Sequence, residues 1–176
     1  MRPRPSETRP GALARGLAGL LAPPLCVACR SACDPARPLC GACVRELNAG
    51  PALRGSPPAG IVGIASCAPH DGVARRVLAA YKFRGMTGLA DLIAGFMADL
   101  AGPAAPGTVV VPVPAGRLRR RLRGFDPVAP LAGRIAAALP GAEPGEGALA
   151  RRDLGRQRGR GRAGRLAAPP RIVAPP

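Results

Sequence analysis

The sequence predicts an α/β protein, part of a parallel sheet with its helices, preceded by a small cysteine ribbon. Three observations carry that prediction. Val109, Val110, Val111, Pro112 and Val113 form a short and uniformly apolar run, which suits a strand covered on both faces. From Asp126 onward Val128, Leu131, Ile135 and Leu139 recur at steps of three and four, the period of one helix face. Cys26, Cys29, Cys40 and Cys43 stand as CxxC, ten intervening residues, CxxC.

At 176 residues the chain can hold one ordinary domain and a small module. Its 26 Lys and Arg against 10 Asp and Glu give a formal charge of +16, which directs attention to phosphate-bearing partners, nucleic acid included. Lys82 is the only lysine, however, and Ala, Gly and Pro are abundant. That combination reflects GC-rich coding, which spreads arginine over any surface. No run of 18 apolar residues occurs, so no helix is expected to span a bilayer. ALARGLAGLLAPP behind Arg2, Arg4 and Arg9 superficially resembles a signal peptide, but Arg15 interrupts it and Pro23 and Pro24 end it just before the first CxxC. The expectation is a cytoplasmic protein.

Taken in order, residues 1–9 are polar and Pro-rich and read as disordered. Residues 10–50 form the first module. Leu13, Leu17, Leu20 and Leu21 give one face of a short helix, and the two cysteine pairs follow. Two such knuckles can hold a tetrahedral zinc through four thiolates, because each turn sets its two sulfurs on one side of the backbone. Four thiolates leave no position for water, so this zinc would be structural. A pair of disulfides in a secreted fragment is the competing reading. Cys33, inside the gap, is either a substitute ligand or a free surface thiol.

Residues 51–60 are rich in Pro and Gly and read as a linker, with a second domain over 61–176. Ile61–Cys67 is its expected first strand, with Cys67 as a small buried residue. His70 is the only histidine and precedes Asp71, a plausible helix cap. A lone loop histidine is seldom a base or ligand. Val73, Val77, Leu78 and Tyr81 mark a helix that runs into YKFRG at 81–85. Tyr81 and Phe83 read as core anchors, whereas Lys82 and Arg84 are either solvated or turned toward an anion. Leu89, Leu92, Ile93, Phe96, Met97 and Leu100 trace a second helix before the valine strand.

Between that strand and the helix at 126–139 lie Arg117, Arg119, Arg120, Arg121, Arg123 and Gly124, read as a basic loop. With Asp126 as N-cap and Pro127 as first helical residue, guanidinium groups and unpaired backbone N–H groups would converge on an anion. Seven arginines between Arg151 and Arg165 alternate with glycines around Gln157, either a flexible low-complexity loop or a flap that orders over a phosphorylated ligand. Arg171, Ile172 and Val173 suggest a last strand.

A cysteine ribbon, then YKFRG, then VPVP with a basic segment and RGF before a helix, then Gln157 among arginines, resembles the ComF family, including its GntX-like members. The likeness runs from about Leu20 to Arg165. It implies a zinc ribbon joined to a type I phosphoribosyltransferase-like domain, and in some members a link to DNA uptake in competence. It further implies that Lys82, Arg84, Arg117, Arg119, Arg121, Arg123, Gly124 and Gln157 contact a phosphoribosyl diphosphate ligand, with magnesium bridging the diphosphate.

Two departures change what is expected. RGFDPV stands where the family has RGFNQA, so Asp126 and Pro127 replace an amide pair. The family's phosphoribosyl diphosphate signature, two adjacent acids followed by a Thr and Gly loop, is absent: no two acidic residues adjoin, and the only threonines are Thr8, Thr87 and Thr108. No catalytic residue is assigned on that account. The missing segment would begin near residue 176, which implies a shortened chain and an incomplete parallel sheet with an unpaired edge. Three functions follow as expectations: a phosphoribosyltransferase-related ligand binder, a zinc-ribbon adaptor for nucleic acid, and a remnant without activity.

Overall fold

The computed structural model describes residues 24–152, 159–169 and 171–174. The chain divides into two compact units, Met1–Ala49 and Gly50–Pro176, taken separately below. The helix expected over Leu13–Leu21 and the polar segment 1–9 lie outside the described residues.

In the first unit a tight turn at 26–30 leads through an irregular segment to α1 (Gly41–Ala49). Leu25 and Ala32 bridge in antiparallel fashion across the turn. Cys26, Val27, Ala28, Leu39 and Cys43 are buried. Two of those five buried groups are thiols, so hydrocarbon alone supplies little cohesion.

The second unit begins with β1 (Leu53–Gly55) and β2 (Ile64–Ser66), paired antiparallel. The expected linker 51–60 therefore contains a strand. The expected strand Ile61–Cys67 is shortened to its last half, because only 64–66 find ladder partners. α2 (Gly72–Phe83) follows, with Asp71 at its N-cap making no side-chain cap bond. A single 3₁₀ turn (Thr87–Leu89) then opens α3 (Ala90–Ala101). The Cys67 thiol, half-buried rather than buried, donates to the Phe96 carbonyl at 3.4 Å and ties the end of β2 to α3.

β3 (Thr108–Val110) pairs parallel with β4 (Ala142–Pro144), and between them run α4 (Arg117–Arg123) and α5 (Val128–Ala138). The strand ends at Val110 instead of Val113. Pro112 and Pro114 carry no N–H, so the ladder has no donor to continue with. Among the described residues this is the only parallel pairing, and each ladder has two strands. The broader parallel sheet of the sequence reading does not form there. Val109, Val111 and Val113 are exposed in consequence. β5 (Ala150–Arg151) and β6 (Ile172–Val173) make an antiparallel pair, and α6 (Arg162–Ala167) lies between them.

The core sits where α3 crosses α5. Ala94 and Ala98 of α3 meet Ile135 and Leu139, with Leu131, Val110, Ala104 and Ala142 packed around them. Small residues on α3 let the helix axes approach closely while Ile135 and Leu139 fill the gap. On the rim, Arg134 Nε donates to Asp91 Oδ1 at 2.6 Å and clips the helices together.

Gly145 is the tightest point of the β3–β4 pair. Its N–H donates to the Val110 carbonyl at 2.9 Å, and a Cβ there would come within 2.6 Å of Val109 Cγ1 and 2.9 Å of Val111 Cγ2. Gly145→Ala is therefore expected to push the strands apart and cost about 1–3 kcal/mol, the usual range for overpacking. A urea titration checks this: a midpoint equal to wild type would show that the valines move aside freely.

Candidate metal centre and basic cluster

Each knuckle of the first unit is built by local hydrogen bonds. At the first, Arg30 N–H donates to the Cys26 carbonyl at 3.0 Å and Cys26 N–H to the Ser31 carbonyl at 2.8 Å. The turn is sharp enough to hold Arg30 at φ 66°, a left-handed conformation that glycine adopts more readily. At the second, an Asx turn in which Asp34 Oδ1 accepts from Ala36 N–H at 2.8 Å reverses the chain toward Leu39. Val44 N–H then donates to the Cys40 carbonyl at 3.1 Å and starts α1. Cys40 and Cys43, three apart across that helix start, face one side, where the positive helix end favours thiolates. Val27 N–H donates to the Pro38 carbonyl at 3.0 Å and joins the two knuckles.

The outcome is a closed set of donors. The sulfurs of Cys26, Cys29, Cys40 and Cys43 all lie within 4.8 Å of one another, and Cys29 Sγ and Cys40 Sγ are 3.6 Å apart. A tetrahedron of sulfurs about 2.3 Å from zinc has edges of about 3.8 Å, so a small contraction completes the shell. The donor set thus fits a metal ion such as zinc, and four thiolates would hold it structurally.

Charge among the four thiols is uneven. Burial opposes ionisation of Cys26, but hydrogen bonds from the backbone of Cys29, Cys40 and Ala28 and from the Cys29 side chain outweigh it and bring the thiol down to about 6. Hydrogen bonds from Ser31 also lower Cys29. Cys43 is pushed up by burial and by its thiol neighbours. Metal binding must therefore displace protons, chiefly from Cys43. Cys33 stands outside the four, with Sγ 3.5 Å from the Arg37 carbonyl.

In the second unit the two aromatic-basic motifs meet. The Tyr81 hydroxyl, at the end of α2, donates to the Pro127 carbonyl at 2.6 Å, and Arg123 Cζ lies 5.1 Å from the centroid of the Phe83 ring. Tyr81 is buried as expected; Phe83, expected in the core, is 64% exposed and carries the guanidinium on its face. Lys82 is half-buried and Arg84 exposed on the same helix end. Arg121 is exposed, Arg123 half-buried, and Gly124 closes α4 at φ 78° with its N–H on the Arg120 carbonyl. The side chains of Arg117 and Arg119, and all of Gln157, lie outside what is described.

The arginine segment is not the loop that was expected. It is helix α4, and its last-turn residues Arg120, Arg121 and Arg123 complement the negative helix end. The start of α5 is also differently satisfied. Its N-cap is Pro127, and Asp126 Oδ1 accepts from Val128 N–H at 3.0 Å while Oδ2 lies 3.6 Å from Arg120 Nη1. A carboxylate thus already stands where that N–H was expected to meet a bound anion.

One basic group escaped the sequence reading. Arg151, held by the β5–β6 pair, lays its guanidinium over Gly116 at the entrance to α4, where an added Cβ would come within 3.7 Å of it. It was indistinguishable from its neighbours in an arginine-rich tract. No helix among the described residues is long and apolar enough to cross a membrane. No family model, no curated protein and no solved structure matches this chain.

Proposed function

We infer that the chain is a ComF-like protein: a zinc-knit head followed by a phosphoribosyltransferase-related unit that binds a diphosphate-bearing ligand of the phosphoribosyl diphosphate kind. The observation that supports this best is the meeting of YKFRG with RGF, motifs some forty residues apart in sequence, through Tyr81–Pro127 and Phe83–Arg123. Lys82 and Arg84 flank Phe83 in sequence, so that contact brings Arg123 to the segment that carries them, and Arg151 adjoins the turn before α4. Guanidinium forks suit phosphate oxygens and neutralise a diphosphate. Magnesium would arrive with the ligand, since Asp126, the acid nearest this cluster in sequence, is already engaged by Arg120 and Val128 N–H.

Adjacent carboxylates for the ribose hydroxyls and a Thr and Gly cradle for the 5′-phosphate are absent from the sequence. The acceptor substrate has no counterpart among the residues assigned.

Calorimetric titration of the full chain with phosphoribosyl diphosphate and magnesium tests the reading. Binding is expected, with Arg123→Ala weakening it about tenfold or more, the loss of one charge-assisted contact. Asp126→Asn keeps a good capping side chain and removes a negative charge, so it is expected to bind the ligand more tightly than wild type. No heat at millimolar ligand would remove this function. A steeply salt-dependent affinity for single-stranded DNA in its place would establish the nucleic-acid adaptor.

A further inference from the structure

We propose that Cys29 and Cys40 are an oxidation site, joined as a disulfide by a hydroperoxide, and that forming this bond discharges the metal from the head. The inference rests on the four-thiol metal centre and adds to it a modification at one defined edge.

The four sulfurs differ in access. Cys26 and Cys43 are 0% and 4% exposed. Cys29 is exposed and Cys40 half-exposed. These two accessible thiols come from different knuckles, and their sulfurs lie 3.6 Å apart. A small oxidant arriving from solvent therefore meets first two sulfurs that are already in contact. A disulfide needs about 2.05 Å between sulfurs. Closing the remaining distance of about 1.5 Å involves one exposed and one half-exposed residue.

The chemistry balances as follows. The Cys29 thiolate attacks one peroxide oxygen; an S–O bond forms, the O–O bond breaks, and the departing oxygen takes a proton and leaves as water or an alcohol. Cys29 is then a sulfenic acid. The Cys40 thiolate attacks that sulfur; the S–S bond forms, the S–O bond breaks, and hydroxide leaves and is protonated to water. The sulfur pair has lost two electrons and the hydroperoxide has gained them. Cys26 and Cys43 remain as the only thiolate ligands, too few for a closed tetrahedral site. Cys33, bonded through its thiol to the Arg37 carbonyl, takes no part.

The test uses the full chain loaded with zinc and treated with one equivalent of hydrogen peroxide in the presence of a chromogenic chelator. Expected are release of one zinc per chain, a mass lower by two hydrogens, and a Cys29–Cys40 cross-link in peptide fragmentation. Thiol reductant and fresh zinc should restore the starting state, and Cys33→Ser should behave as wild type. Cys29→His preserves a zinc ligand but removes the disulfide partner, and should slow release at least tenfold. A Cys26–Cys43 bond, a bond through Cys33, or zinc release with no disulfide would overturn the proposal. So would a centre that keeps its zinc. A chain that takes no zinc refutes the metal centre instead, and the same peptide map still decides whether Cys29 and Cys40 are the pair that joins.

Discussion

Removing the metal, by chelation or by Cys43→Ala, is expected to unfold residues 24–49 while the Gly50–Pro176 unit keeps its structure. The described core of the head is five buried side chains, two of which are the thiols of Cys26 and Cys43. Structural zinc is worth on the order of 10 kcal/mol to peptides of this kind, and so small a hydrocarbon core has nothing comparable to offer. Cys33→Ala, whose sulfur lies outside the four, should have little effect. Limited proteolysis at Arg30 and Arg45 reads the outcome: both sites should open within the same time course after chelation. Lowering the pH should do the same, because protons returning to the thiols compete with the metal and Cys26, held at about 6, is among the last to accept one. Unchanged protection in the presence of a strong chelator would show that the head stands without metal.

Tyr81→Ala is expected to be the most damaging single change in the second unit, costing about 3–5 kcal/mol as large buried aromatics do. Tyr81 is 1% exposed, and its hydroxyl is the link between α2 and the start of α5. Burial also raises its phenol above the ordinary value, opposed by Arg134 and reinforced by Asp126, so the group stays a donor. Tyr81→Phe keeps the ring and removes one of the bonds to the Pro127 carbonyl, for about 1 kcal/mol. The two variants separate packing from hydrogen bonding, and chemical denaturation of the full chain measures both. Because the same helix end carries Phe83, losing Tyr81 should also free Arg123 and weaken diphosphate binding. A Tyr81→Ala protein as stable as wild type would mean that the two motifs are not joined in this way.

The sequence disclosed the four-cysteine cluster well, since the spacing of the cysteines is nearly the whole of its geometry. It also disclosed α5, whose Leu131, Ile135 and Leu139 keep a helical period and pack inward. It disclosed helix α3, with Leu89 and Ile93 buried, but not its contact with α5. There Leu92, Phe96 and Leu100 are only half-buried and Met97 is exposed, whereas Ala94 and Ala98 make the contact. Alanine carries little weight in a pattern of large side chains, yet close helix packing selects it. The arginine segment misled for a related reason: RLRRRLR looks like a charged loop, although Arg and Leu are both good helix formers and Gly116 and Gly124 bracket one short helix. Pro112 and Pro114 were visible, and their missing donors explain why the valine run pairs only as far as Val110.

Of the proposed anion site the sequence offered the ingredients and not the arrangement. The contacts that join the two motifs are Tyr81 with Pro127 and Phe83 with Arg123. Asp126, read as a cap, does meet Val128 N–H, but from one position before the N-cap and while paired with Arg120. Arg151 could not be singled out, because only the β5–β6 pairing distinguishes it from the other arginines of its tract.

Metal content together with X-ray absorption at the zinc edge, measured on the full-length chain purified with zinc present, addresses the metal-knit head most directly. One zinc per chain with four sulfur neighbours at about 2.3 Å is the expected result. Metal at background level, or a shell dominated by nitrogen and oxygen, would contradict it.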